Sequence, residues 1–213
     1  MKIGILGTGV VGRSLGLGFA RRGDEVMIGS RTPESDAVRE WLAQAGPAAR
    51  AGTFAEAAEF GELAVLATLW AGTENALRLA GPDHLAGKVV VDVTNPLDFS
   101  GGAPRLAVGH SDSGGEQVQR WLPGARVVKA FNIITAGEMV DPDFPGGPPT
   151  MFVCGGDEGA KRTVAGICEA FGWEVVDVGG IDGSRLLEPL AMLWITHGVR
   201  SGSWSHAFKL LRK

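Results

Sequence analysis

The sequence predicts an α/β protein of the doubly wound kind: a mainly parallel sheet covered by helices on both faces, with a short helical extension at the carboxyl end. Three observations predict it. Short apolar, β-branched runs recur along the 213 residues, at Lys2–Leu6, Glu25–Ile28, Leu63–Ala67, Lys88–Val93, Arg126–Ala130, Thr150–Cys154 and Trp173–Val178. Several are apolar at consecutive positions, as Val89, Val90 and Val91 are, which suits strands buried on both faces. Helical patterns lie between most of them.

The first run leads directly into Gly7-Thr8-Gly9-Val10-Val11-Gly12 and then a helix carrying Leu15, Leu17, Phe19 and Ala20. Strand, Gly-x-Gly-x-x-Gly and helix in that order are the fingerprint of a Rossmann-type dinucleotide site. Gly7 permits the tight turn, Gly9 lets a pyrophosphate approach the backbone, and Gly12 lets the helix pack on the strand. The free amides of the helix start then receive the phosphate. All six residues of the loop are expected to bind cofactor.

The second run ends in Ile28-Gly29-Ser30-Arg31-Thr32-Pro33. An NAD-binding protein places a carboxylate about 20 residues beyond the glycine loop, on the ribose hydroxyls. Here a guanidinium stands between two hydroxyls instead, where an adenosine 2′-phosphate would lie. Arg31 offers paired charge-assisted hydrogen bonds, and Ser30 and Thr32 add donors, so the expected cofactor is NADP(H). Thr32 followed by Pro33 also reads as the cap and first residue of a helix.

Further helix starts are predicted by Thr53-x-x-Glu56, Ser113-x-x-Glu116 and Thr135-x-x-Glu138, which fit the reciprocal capping box, and by Asp157, capping a helix through Ala170. Asp98–Pro104 and Asp141–Pro149, rich in Gly and Pro, read as loops. Ligands of open α/β sheets bind at the carboxyl ends of strands, so Thr68-Leu69-Trp70 and Asn95-Pro96 should border the cofactor. Asn95 suits a bond to ribose or to the nicotinamide carboxamide, and equally an Asn-Pro turn closing on its own backbone.

Lys129 stands in a strand, where it is costly unless paired or near an edge. A structural ion pair is preferred to a catalytic lysine. Ala130 and Asn132 follow at the end of that strand, and Asn132 is placed to touch the nicotinamide. Lys129 and Asn132 are the only catalytic candidates, because His110, His197 and His206 lack the spacing of an acid/base or metal set. No metal site is expected.

The net charge of −4 argues against non-specific nucleic-acid binding. No apolar run reaches the roughly 18 residues of a membrane helix, and a cytoplasmic location is expected. Cys154 and Cys168 form neither a disulfide framework nor a zinc motif and read as buried thiols. The organisation expected is a nucleotide domain with extra αβ units over 1–182 and a helical segment over 183–213 packing on it. In that segment the stripe from Leu186 to Trp194, kinked or begun early by Pro189, serves core or homodimer contact.

The chain resembles the NADP oxidoreductases that depend on the deazaflavin coenzyme F420, whose nucleotide domain is related to that of the STEAP metalloreductases. The carriers are Gly7-Thr8-Gly9, Gly29-Ser30-Arg31, Val91-Asp92-Val93-Thr94-Asn95-Pro96, Lys129-Ala130-Phe131-Asn132, Gly155-Gly156-Asp157 and Arg185-Leu186-Leu187-Glu188-Pro189. The tail Ala207–Arg212 is similar to compact bacterial members. The resemblance implies NADPH bound by Thr8, Ser30 and Arg31, with a flavin-like ring (F420, FMN or FAD) against the nicotinamide in a cleft closed by the carboxyl-terminal segment.

Direct hydride transfer between two such rings needs position and dryness, not a general base. Two other readings stand beside it: a short imine or keto reductase with Lys129 as acid, and a non-catalytic NADP(H)-binding sensor.

Overall fold

A computed structural model describes residues 1–213. The chain runs β1 (Lys2–Leu6), α1 (Val10–Arg21), β2 (Glu25–Gly29), α2 (Asp36–Ala45), β3 (Ala49–Gly52), α3 (Phe54–Phe60), β4 (Leu63–Leu66), α4 (Trp70–Ala80) and α5 (Pro82–Leu85). It continues β5 (Val89–Asp92), β6 (Leu97–Asp98), β7 (Arg105–Leu106), α6 (Gly114–Trp121), β8 (Arg126–Lys129), β9 (Thr150–Gly155), α7 (Glu158–Ala170), β10 (Glu174–Asp177) and α8 (Ser184–Ser201).

Eight strands form one sheet in the order β3-β2-β1-β4-β5-β8-β9-β10. The first six are all parallel and reproduce the dinucleotide-binding order, with β1 and β4 flanking the point where the chain changes direction of winding. β9 then pairs antiparallel with β8, and β10 parallel with β9.

The consecutive apolar residues feed two cores, because successive side chains of a strand point to opposite faces. Ile3, Ile5, Val26, Ile28, Leu63, Val65, Val91 and Val128 enter one cluster together with Leu15, Phe19, Val164 and Ala191 of the helices on that side. Leu6, Ala64, Leu66, Val90 and Val127 enter the other, with Ala57, Leu77, Leu85 and Val118. Each fully buried aliphatic side chain contributes about 1.5–3 kcal/mol, so neither face can be left uncovered.

Local signals settle most helix ends. Thr53 and Glu56 form the predicted capping box, and Asp157 accepts from the Ala160 amide at 2.7 Å. Other expectations are corrected. α2 starts at Asp36 behind Ser35, and Thr32–Pro33 form a turn in which the Thr32 amide donates to Ser30 Oγ at 3.1 Å. Ser30 competes for the amide that a helix start would leave free. Thr135 caps nothing with its side chain and precedes only a 3-10 turn, Ala136–Glu138.

Ser113 does accept from the Glu116 amide, but the Glu116 carboxylate turns to Arg185 instead of the Ser113 backbone. Two strand regions are additions: β3, and the β6–β7 ribbon, whose two short strands bracket the loop read at Asp98–Pro104.

α8 continues past Pro189, whose ring is exposed; the cost is one hydrogen bond to the Arg185 carbonyl. Leu187, Ala191 and Trp194 face inward, while Leu186 and Leu193 are exposed. Gly202 ends the helix in the left-handed conformation and the chain doubles back. Trp204 lies on Gly198 and against Trp194, His206 stacks on Trp194, and the Thr150 amide donates to the Phe208 carbonyl at 2.9 Å. No helix is long and apolar enough to cross a membrane.

Candidate functional site

The segments named from the sequence follow the carboxyl ends of five neighbouring strands. Ser30–Thr32 follow β2, Gly7–Gly12 follow β1, Thr68–Trp70 follow β4, Asn95–Pro96 follow β5 and Ala130–Asn132 follow β8. Parallel strands put all five on one edge of the sheet, across the point where winding reverses.

The three glycines of the loop meet three different surroundings. Gly7 has φ +131°, and a Cβ there would overlap the Ala67 carbonyl, so the turn and the end of β4 touch backbone to backbone. At Gly12 a Cβ would overlap the Gly7 carbonyl and crowd Ile5. At Gly9 nothing lies within 4 Å: its α-carbon faces open space at the start of α1, whose first amides have no side-chain cap. That is a cradle a side chain would fill, and it fits a pyrophosphate.

Next to it, Thr8 Oγ1 donates to Ser30 Oγ at 3.5 Å, and Ser30 is buried beneath the turn. Arg31 is exposed, and no carboxylate of the chain pairs with it. This guanidinium is free to take an anion.

On the other side of the winding reversal, Thr68 Oγ1 and Thr73 Oγ1 are 2.9 Å apart, Leu69 is 82% exposed, and Trp70 packs on Trp121. The Leu97 amide closes the turn at Pro96 on the Asn95 carbonyl at 2.8 Å, and the Asn95 side chain reaches across to the next loop. Its Nδ2 donates to the Asn132 carbonyl at 2.7 Å, while Asn132 Nδ2 donates to Asn95 Oδ1 and to the Leu187 carbonyl, both at 3.0 Å. Asn132 Oδ1 is buried with no partner.

Lys129 is fully buried in an interior strand and is paired: Nζ lies 2.8 Å from Asp92 Oδ2, 3.2 Å from Glu188 Oε1 and donates to the Thr94 carbonyl at 2.8 Å. Asp92 Oδ1 accepts from the Thr94 amide and hydroxyl, and Glu188 accepts from the Gly114 and Gly115 amides at 2.9 Å each. Burial alone would push the Lys129 ammonium down; the attraction of Asp92 and Glu188 outweighs it and its pKa is raised. Burial raises Glu188, opposed by Lys129 and the two amides.

Glu188 and the Gly114–Gly115 pair were not singled out as site residues in the sequence. A glutamate in an amphipathic helix reads as a solvated face; the available signal was the pair of glycines in the first turn of a helix, where something must come close. Cys154 and Cys168 are buried and unpaired, and no group of His, Cys, Asp and Glu is arranged to hold a metal.

Residues 2–96 match the family model described as NADP oxidoreductase, coenzyme F420-dependent. The F420-dependent NADP reductase of Methanothermobacter marburgensis is 31% identical over 212 residues, covering 94% of each chain. The chain belongs to the F420-dependent NADP oxidoreductase family.

Membership makes it an NADP-dependent oxidoreductase. A crystal structure of a candidate F420-dependent NADP reductase from Arthrobacter sp. FB24 superposes on this family member with a TM-score of 0.94, at 41% identity and over 100% of both chains. Rat Metalloreductase STEAP3 is 33% identical over 196 residues; they are 90% of this chain but only 37% of the metalloreductase, so the chain spans about a third of that relative.

Proposed function

We propose that this protein transfers hydride between NADPH and a deazaflavin of the F420 type, the acceptor that its full-length relatives' names carry. The observation that carries the NADP half is the open space over Gly9 beside the unpaired Arg31. Thr8, Gly9, Val10 and Val11 would hold the pyrophosphate against the α1 amides, and Ser30, Arg31 and Thr32 the 2′-phosphate. Thr68, Leu69 and Trp70 would wall one side of the nicotinamide; Pro96 and Ala130, both buried, would back the other side from beneath. Asn132 Oδ1, the orphaned acceptor, would take the carboxamide N–H.

When bound, the coenzyme would supply the hydride chemistry, with the accompanying proton exchanged with bulk solvent. The chain's own contribution is to align and to exclude water. No free general acid or base stands at the strand ends, since Lys129, Asp92 and Glu188 are committed to one another. Exposed Leu69 gives an apolar surface suited to a ring.

Room for the acceptor lies beyond Pro96, whose carbonyl accepts from the Ala107 amide at 2.7 Å. There a cleft of about 890 Å³ is lined by Leu106, Ala107, Val108, Arg185, Leu186 and Pro189, among others, a volume ordinary for a small-molecule site.

Loss of reduced-nicotinamide absorbance with F420, FMN and FAD, each with NADPH and with NADH, tests the reading. Turnover with F420 and NADPH well above every other pair is expected. FMN or FAD as the better acceptor would move the assignment to a flavin reductase, and tight NADPH binding with no turnover to a sensor. We further infer a homodimer through α8, where Leu193 is exposed away from the cleft lining, to be checked by light scattering.

A further inference from the structure

We infer that Lys129 and Glu188 are positioning residues for the nicotinamide half of the coenzyme: the buried cluster they form holds the two walls of that half in register, and neither side chain touches a reactant. The inference rests on the NADP reading given above.

α8 lies outside the sheet, and its contacts with the body through Leu187, Ala191 and Trp194 are apolar, which fix distance better than register. Register comes from directional bonds: Arg185 pairs with Glu116 of α6, and two consecutive residues, Leu187 and Glu188, grip the site itself. The Leu187 carbonyl holds Asn132, which in turn holds Asn95; the Glu188 carboxylate holds Lys129, which holds the Thr94 carbonyl. Both grips end in the two segments that follow β5 and β8. The cluster therefore joins the wall Thr94–Pro96, the wall Ala130–Asn132 and α8 into one unit.

Stability is a poor reason for such a cluster, because a buried ion pair often does no better than apolar side chains of the same volume. Here two carboxylates face one ammonium, so one negative charge is left over, offset by the first amides of α6. Gly114 and Gly115 are shaped for this. A Cβ on Gly115 would overlap Ser184 and crowd Lys129 Cε, and one on Gly114 would press on Glu188 and Pro96. What directional bonds supply and packing does not is a fixed orientation for the Thr94 carbonyl and the residues after it.

The test compares two ligands of the whole chain by calorimetry: NADPH, and adenosine 2′,5′-bisphosphate, which lacks the nicotinamide half. In Glu188→Gln, which keeps an acceptor for one amide, and in the uncharged combination Asp92→Asn, Lys129→Met and Glu188→Gln, NADPH should bind about tenfold more weakly. The bisphosphate should bind within about twofold of wild type, since Arg31 and Ser30 are untouched.

A parallel loss for both ligands, or no loss for either, in variants that keep the wild-type circular dichroism would overturn the positioning role. Should Glu188→Gln fail to fold, the uncharged combination, which strands no buried charge, decides. Failure of the bisphosphate to bind the wild type would strike at the NADP reading instead, and the two failures are thereby distinct.

Discussion

Asn95 and Asn132 hold each other across the ends of β5 and β8: each donates its side-chain amide to the other residue, at 2.7 and 3.0 Å. The exchange closes the two loops into one surface and reaches α8 through the Leu187 carbonyl. Asn132→Ala would remove the side-chain donor shared by Asn95 Oδ1 and the Leu187 carbonyl, at about 0.5–1.5 kcal/mol for each bond lost. Thermal unfolding is expected to shift down accordingly. An unchanged midpoint would mean that water replaces the amide and that the clamp is dispensable.

Arg31 has the opposite character, exposed and unpaired, so its loss should cost the free protein nothing. Arg31→Ala is expected to keep the wild-type melting temperature and to weaken NADPH by about 1.5–3 kcal/mol, with NADH unchanged. Titration calorimetry of both nucleotides checks this. Equal losses for the two would remove the 2′-phosphate from this turn.

The glycines of the loop separate binding from folding. Gly9 has an ordinary extended backbone and open space before it, so Gly9→Val should fold normally and lose NADPH binding, its side chain occupying the pyrophosphate position. Gly7→Ala should instead be destabilised, because a positive φ and the Ala67 carbonyl both oppose a Cβ. The contrast is read from melting temperature against affinity; binding that survives in Gly9→Val would empty the cradle of its assigned ligand.

The buried thiols make stability depend on alkaline pH. Burial pushes Cys154 from an ordinary 9.0 up to about 11, and Cys168 higher still. A thiol whose folded pKa is raised contributes stability fully present below its unfolded pKa and lost as pH rises through the folded one. Each unit of raised pKa is worth about 1.4 kcal/mol. Denaturant midpoints should therefore hold to about pH 9 and fall toward 11, and the fall should be shallower in Cys154→Ala and Cys168→Ala. Identical slopes in the variants would assign the alkaline loss to other groups.

The parts legible in sequence were those whose cause is local. β1, the glycine loop and α1 show themselves because an apolar run, a turn and a helix face are each encoded by neighbours in the chain. β3 was not legible: Ala49-Arg50-Ala51-Gly52 has no strand-forming side chain, and its extended state comes from pairing with β2. Thr32–Pro33 carried a valid helix-start signal that lost to the Ser30 hydroxyl, a competitor two residues away. The pairing of Lys129 was anticipated from the cost of burying it, but its partners were not, because Asp92 and Glu188 are brought to it only by the sheet order and the docking of α8.

The capture of Glu188 by the Gly114 and Gly115 amides bears on how the molecule breathes. Neither α6 nor α8 can fray at that end without uncovering charges that have no other counterpart in the interior. The two helices should therefore open together with β8, as a single cooperative unit, and amide hydrogen exchange at Gly114, Gly115 and the middle of α8 should report one shared opening free energy.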